Sequence, residues 1–538
     1  PDAVPRPGYD HRRMSKSKDG SGRHHPHSDP AARVDPVERE HAPDPLLAGH
    51  GPDPVVAGHR PDPVVAGHGP DPARWRILGV ALAAVFMSLI AVSIINVVLP
   101  AIQIGLDATD SDLQWALTGY ALTFGVVLVA AGRAGDLLGR GPLFIIGVAL
   151  FTLSSIAAGL APDPTTLNAA RFVQGLGSGL LTPQVVGFIQ QYFEGPERGR
   201  AYGALGAVVG VSVAIGPVLG GLIIEMAGPA AGWRWTFLVN VPVGLATIVL
   251  ALLWLPRPMR PARTGSGRGV MRDLDPVGAV LLGVAVLALL LPFVERDAGA
   301  WVWLLLPGGL GLLAVWAWWE RRHKRRGHPP MVDLELFRIG SFSVGTLISG
   351  LYFMGVTSVW VLVAMYMQSG LGRSALEAGL IGLPAAMVSA VSSYGAGRGA
   401  TRHGRTILII GMVSALVGLG LSIGVVQLAA AGTISVWWML LTLAFIGVAQ
   451  GMIITPNQTL TLAEVPLDYA GSAGGVLQTS QRIGTAIGLA VITGVAFAVL
   501  AGGDWTTAIS LGFTLTAGMV LVTLGVALYD VRRVRSRG

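Results

Sequence analysis

The feature that limits this chain most is a succession of long apolar runs. Fourteen can be marked, near 77–99, 112–131, 142–161, 167–191, 201–224, 236–255, 276–293, 301–319, 341–366, 376–396, 406–428, 435–458, 472–500 and 506–529. A helix of about 20 apolar residues crosses the roughly 30 Å hydrocarbon core of a bilayer. Within that core no water satisfies the peptide groups, so each run must close its hydrogen bonds internally, as a helix. The expectation is an all-α polytopic membrane protein of 14 transmembrane helices. Composition agrees: of 538 residues 52% are apolar and only 13% charged, too few charges to cover a soluble core of that size. The 74 glycines then read as sites of close helix packing rather than as loops.

Charge sets the orientation. With the first helix running outward, the even-numbered connections hold Arg133 and Arg140, Arg198 and Arg200, Arg257 to Arg272, the run Arg321, Arg322, Lys324, Arg325 and Arg326, and Arg398, Arg402 and Arg405. The odd connections hold few basic residues, such as Arg234, Arg296 and Arg373, and carry Asp107, Asp110 and Asp112. The positive-inside rule places both termini in the cytoplasm of a cell-membrane protein. The net charge of +7 marks orientation and anionic-lipid contact rather than nucleic-acid binding. There is no Cys, which excludes disulfides and thiol chemistry, and no phosphate-binding loop of the G-x-x-x-x-G-K-[ST] type, so no ATP-driven step is expected on this chain. No cofactor or metal motif stands out, and no nucleophile, base and orienting residue cluster as an enzyme would need. Trp115, Trp233 and Trp235 lie near outer helix ends and are expected to anchor the interface.

Residues 1–74 differ in kind. Pro-Asp-Pro recurs at Pro43, Pro52, Pro61 and Pro70 with a nine-residue period, and this segment reads as a low-complexity cytoplasmic tail; His24, His25 and His27 are read as solvated rather than metal-bound. Met14 is a candidate start.

The run GRAGDLLGR at Gly132–Arg140 returns as GRGATRHGR at Gly397–Arg405, 265 residues later, with Gly and Arg at the same places. Each is a tight charged turn between two helices, and Asp136 is suited to accept from a helix N-terminus or from a nearby Arg. Gly139 and Arg140 close the first copy. The offset pairs spans 1–6 with 9–14, giving a six-helix bundle at 75–256, an inserted two-helix hairpin at 257–330, a second six-helix bundle at 331–530 and a basic tail at 531–538. In span 5, Gly203, Gly206, Gly210, Ala214, Pro217 and Gly221 recur at steps of 3, 4, 4, 3 and 4, one helical face along which another backbone can approach. Gly216 and Gly220 belong to the same run, and Pro217 removes the bond to the Val213 carbonyl.

In span 4, Arg171, Gln174, Ser178 and Thr182 share a face. A guanidinium in a bilayer must face a polar cavity or a partner, unless it snorkels to the headgroups, which a start near Leu167 leaves open for Arg171. In span 13, Gln478, Arg482 and Thr485 share a face, with Arg482 near mid-depth and expected to be the more buried of the two arginines. Phe353, Thr357 and Trp360 on span 9 make a candidate adaptable pocket, with lipid-facing aromatics as the alternative.

These motifs, in order, resemble those of the major facilitator superfamily. GRAGDLLGR is similar to its loop between helices 2 and 3, LNAARFVQGLGSG at 167 to its helix 4 motif, and GVSVAIGPVLGG at 210 to its helix 5 antiporter motif. INVVLPAI at 95 and GWRWTFLVNVPVG at 232 resemble signatures of the fourteen-helix drug/proton antiporter branch. The resemblance implies a secondary transporter exporting amphipathic or cationic small molecules, with protons as the coupled ion. Asp136 and Arg140 would stabilise the outward-facing state, Arg171 would take part in proton coupling, and Gly216 and Pro217 would shape the exchange step. Asn96 and Tyr120 join Phe353, Thr357 and Trp360 as expected pocket residues. The chain departs from the branch at Ala91, where the resemblance expects a carboxylate; Asp112 and Glu225 are the remaining acids near membrane depth. A substrate-specific exporter of an antibiotic or metabolite, with or without proton coupling, and more remotely a non-transporting membrane sensor, are the rival readings.

Overall fold

The computed structural model describes residues 73–256, 273–294, 299–500 and 502–535. The tail repeats with their histidines, Arg257 to Arg272, Arg296, Arg537 and the side chain of Asn96 lie outside the described residues. Helices make up the described chain: α1 (Ala73–Leu106), α2 (Asp110–Leu138), α3 (Arg140–Gly159), α4 (Pro164–Tyr192), α5 (Gly195–Ala227), α6 (Pro229–Leu238), α7 (Asn240–Trp254), α8 (Pro276–Val294), α9 (Leu305–Arg325), α10 (Gly340–Met365), the short α11 (Ala375–Leu380), α12 (Leu383–Ala430), α13 (Met439–Thr461), α14 (Ala470–Leu500) and α15 (Trp505–Arg535). No strand occurs among the described residues.

Local chemistry sets the ends. Thr109 and Asp112 form a reciprocal capping box at the start of α2, Asp112 accepting from the Thr109 N–H at 3.0 Å and from its hydroxyl at 2.7 Å. Asp163 caps α4 by accepting from the Thr166 N–H at 2.8 Å, with Pro164 in the first turn. That N–H, and then the Thr166 hydroxyl, hold the Asp163 carboxyl below its ordinary value. The cap moves the start of α4 three residues ahead of the expected Leu167. The sixth span likewise begins early, at Pro229, because Gly228 with φ of 75° turns the chain and Pro229 starts a helix at once. It crosses as α6 and α7, broken at Val239.

Spans 10 and 11 emerge as the single helical stretch α12, 48 residues long. A straight helix of that length would measure about 72 Å, more than twice the bilayer core. His403, with φ −126° and ψ 18°, breaks it. Packing on α13 shows the reversal: Gly447 of α13 abuts Ala385 and Gly451 abuts Ser389, while Gly418 abuts Ile446 and Gly411 abuts Ile453. The two limbs therefore flank α13 in opposite directions. Counting α12 twice, the thirteen helical stretches long and apolar enough to span a membrane among the described residues give the fourteen expected crossings.

The helices pack as α1 with α5, α2 and α3 with α4, and in the second part α12 with α13 and α15, and α10 with α14 and α15. Two seams join these sets, α2 on α14 and α5 on α12. The hairpin α8–α9 lies over the first seam: Leu282, Val286 and Leu290 of α8 form one apolar cluster with Leu122 and Val129 of α2, against which Ile483 and Ala486 of α14 pack. Trp233 corrects an expectation. It is fully buried, edge-on to Phe237 at 6.3 Å, because the early start of α6 turns it inward onto α1; Trp235, 57% exposed, keeps the anchoring position, and Trp115 is half-buried against Phe172.

Candidate functional site

Two arrangements stand out, one at the Gly139 end of the seams and one deeper. Gly139 has φ of 100°, a conformation suited to glycine, and so lets α2 run directly into α3. One turn earlier, Asp136 accepts from Gly471 N–H and Ser472 N–H at the start of α14, each at 3.0 Å, and from Arg140 Nη2 at 2.9 Å. Its carboxylate thus sits at a helix N-terminus, where free N–H groups and the helix dipole favour an anion. Arg140 extends the contact, donating to the Leu467 carbonyl, the Gly187 carbonyl and Gln191 Oε1, all at 2.9 Å. Gly132 makes this possible: a Cβ there would lie 2.9 Å from Ser472 N, and one on Gly475 would lie 2.7 Å from the Leu128 carbonyl.

The second seam repeats the first. Gly397, the counterpart of Gly132, abuts Gly199 and Gly203 of α5. Gly206 meets Thr455 and Ser393, Gly210 meets Ser389, and Pro217 meets Gly379. Gly216 and Gly220 point elsewhere, to Ser93 and Ile94 of α1. Gly221 departs from the expected close-packed face: nothing lies within 4 Å of its Cβ position, since the contact with the second part ends at Pro217. The echo loop has no bridging acid. Thr401 stands in place of Asp136, and Arg405 pairs with Asp530 of α15 at 2.7 Å, within the second part.

The deeper arrangement centres on Arg171, 1% exposed. Its Nε donates to the Ala116 carbonyl at 2.8 Å and its Nη1 to Gln174 Oε1 at 2.6 Å; Gln174 Nε2 passes the chain on to Ser155 Oγ at 2.7 Å. The guanidinium carbon lies 4.4 Å over the Tyr120 ring. Tyr120 and Ser178 share a hydrogen bond of 2.6 Å, and Ser88 joins both at 3.1 and 2.7 Å. Snorkelling is excluded: the helix-4 face Arg171, Gln174, Ser178 points into the bundle. Arg482 is the less enclosed of the two, half-buried, which reverses the expected order. Two turns beyond the tight contact at Gly475, its guanidinium lies 4.4 Å over Phe124 of α2. Gln478 is buried one turn below it. Thr485 approaches Thr357 of α10 at 3.4 Å, and Phe353 and Trp360 are half-buried on the same helix.

The acids do not join this group. Ala91 is buried in the apolar cluster that also holds Tyr120 and Phe124, Asp112 is engaged in its capping box, and Glu225 is exposed in the last turn of α5. Residue patterns also missed Ser88, Ser93 and Ser155, isolated hydroxyls with no spacing to mark them. They missed Asp275 and Glu320 too, both 1% exposed at the foot of the hairpin, although Asp275 directly before Pro276 is a helix-start signal.

The chain is similar to known transport proteins. A probable actinorhodin transporter of Streptomyces coelicolor is 34% identical over 79% of this chain and 73% of its own length. The multidrug resistance protein Stp of Mycobacterium tuberculosis is 31% identical over 76% of this chain and 73% of its own. Among solved structures, the human organic anion transporter MFSD10 superposes with a TM-score of 0.59 at 15% identity, covering 85% of this chain and 100% of that one, a likeness of fold. The family model of the Major Facilitator Superfamily matches residues 81–489. With that match spanning most of the membrane-embedded chain, this all-α polytopic protein belongs to the Major Facilitator Superfamily of transporters.

Proposed function

We propose that the protein exports amphipathic small molecules from the cell by alternating access, coupled to inward proton movement, with the α2–α14 and α5–α12 seams as the moving contacts. The single observation that carries this reading is the Asp136 contact. One carboxylate accepts from two N–H groups of α14 across a seam where Gly132 and Gly475 let the backbones come close, while Arg140 holds it from its own side. Such a contact is strong when formed, yet involves few atoms, and so suits a gate that opens and closes. The basic residues at the Gly139 end support an orientation with the closed gate on the cytoplasmic side. The direction of transport is supported by relatives named for transport and for resistance. Arg171, held between a carbonyl, an amide and an aromatic ring, is the group in the interior whose field a proton or substrate would alter.

The test is transport in proteoliposomes containing only this protein, with an imposed pH gradient and a panel of chemically unrelated amphipathic dyes. Movement of several dyes that follows the gradient is expected. Movement of one chemical class alone would favour a dedicated exporter, a reading suggested by the actinorhodin relative, and movement indifferent to the gradient would remove proton coupling.

A further inference from the structure

The face of α14 that packs on α2 does not end where the packing ends. Gly471 and Gly475 lie against Gly132 and Leu128, and the same face continues at helical spacing through Gln478, Arg482 and Thr485. The other faces of α14 are occupied, Gly484 and Gly488 by Gly350 and Met354 of α10, and Ile483 and Ala486 by the hairpin. The face that carries Arg482 is therefore the one turned to α2, across the seam, rather than toward lipid. Its guanidinium touches the Phe124 ring and, among the described residues, makes no hydrogen bond and no ion pair. Phe124 is stacked beside Tyr120 at 6.0 Å between ring centres, and Tyr120 carries the second guanidinium, that of Arg171. Two positive charges thus flank one aromatic pair, and among the described residues neither is paired with a carboxylate; Ala91, in the same apolar cluster as Tyr120 and Phe124, supplies none. A cation entering here meets like charge in a low-dielectric setting, whereas an anion supplies the missing counter-charge.

We propose that Arg482 is the anchor of the substrate site, and that the substrate is an amphipathic organic anion whose carboxylate pairs with this guanidinium while its apolar body lies against Phe353 and Trp360. The inference rests on the export reading above and narrows its substrate class. A guanidinium presents parallel N–H groups that match a carboxylate two by two, and all those of Arg482 are unused. Thr357 and Thr485, 3.4 Å apart, connect the charged face of α14 to the aromatic face of α10, so one molecule can span both.

The test uses three probes with one fluorophore: dansylglycine (a carboxylate), dansylglycinamide (neutral) and dansylethylenediamine (a cation). Binding to the purified full-length protein is read by fluorescence. The expected result is a preference for the carboxylate of about tenfold or more, as a charge-assisted hydrogen bond provides. In Arg482→Gln that preference disappears, while the amide binds within about twofold of the parent, which also shows the variant is folded. Should Arg482→Gln not fold, Arg482→Lys serves: it keeps the charge, loses the paired geometry, and is expected to weaken carboxylate binding alone. Equal or better binding of the amine, carboxylate binding unchanged in Arg482→Gln and Arg482→Lys, or no binding of any probe would overturn the proposal. Transport of the same probes into proteoliposomes separates it from the export reading. Carboxylate-selective binding with no movement of any probe would sink export and leave the site standing. Movement of the amine alone would sink the site and leave export.

Discussion

Ser93 does for α5 what a backbone N–H does elsewhere in a helix. Pro217 has no N–H to give the Val213 carbonyl, and the Ser93 hydroxyl, reaching over from α1, lies 3.3 Å from that carbonyl and 3.3 Å from the Ser212 carbonyl. Gly216 leaves the room for it, since a Cβ there would come within 2.8 Å of Ser93 Cβ. Gly216→Ala is expected to cost about 1–3 kcal/mol by overpacking, lowering the melting temperature. Gly221→Ala, in open space, is expected to gain a few tenths to about 1 kcal/mol from helix propensity; equal effects in a thermal unfolding assay would contradict the assignment of faces. Arg171→Ala is expected to abolish transport, because Gln174 and the Ala116 carbonyl lose their common partner, and Arg171→Lys is expected to rescue little, since an ammonium cannot serve both the carbonyl and the amide in the same plane. Vesicle transport at matched expression checks both. Glycine and arginine spacing was readable along the chain. Ser93 and Ser88 were not, because a hydroxyl acquires its role only from the helix that happens to lie opposite.

At the scale of elements, the inserted hairpin acquires a structural job. Asp275, at φ 44°, accepts from Gly278 N–H at 3.0 Å and from Trp319 Nε1 at 3.0 Å, and so ties the foot of α8 to α9. Glu320 Oε2 accepts from Met331 N–H at 3.0 Å, pinning α9 to the strap that leads into α10. Since α8 rests on both α2 and α14, the hairpin bridges the first seam outside the Asp136 contact. Glu320→Ala is expected to destabilise the protein by about 1–3 kcal/mol, leaving a buried N–H without an acceptor, and Glu320→Gln, which keeps an acceptor, by much less; the melting temperatures of the two variants decide. The run of apolar residues announced the hairpin, but not where it would dock. The same limit applies to α12, where the 376–396 and 406–428 runs were legible as two crossings while the near-continuous helix through the turn was not, because only His403 leaves the helical conformation.

For the whole molecule, the internal duplication shows in the packing: Gly132 on Gly471 is repeated by Gly397 on Gly199. The electrostatics are not duplicated, since Asp136 crosses its seam whereas the echo pairs Arg405 with Asp530 on one side only. The gate is therefore expected to be controlled from the first copy. Asp136→Asn is expected to shift the balance toward the open Gly139 end by about 3 kcal/mol, the scale of breaking a buried charged contact, while Thr401→Ala leaves it unchanged. Because the chain has no Cys, a Gln191→Cys, Leu467→Cys pair reports the closed state without background. Cross-linking of this pair by a short bifunctional thiol reagent is expected to fall about tenfold or more when Asp136→Asn is added; unchanged cross-linking would refute the gate.

The sequence by itself determined the class of the protein, the number of crossings, the duplicated loop and the residue types at the Asp136 contact. These follow from short-range rules: twenty apolar residues must be a spanning helix, glycine at helical spacing must admit a close neighbour, and basic residues must mark one side. Tertiary structure alone decided that Arg171 turns inward and is satisfied, that Arg482 is the guanidinium left open, that Trp233 is core and Gly221 free, and that the hairpin covers a seam. Each of those depends on which helix lies opposite, and the rotation of one helix against another is set by packing between distant segments, which no local pattern encodes.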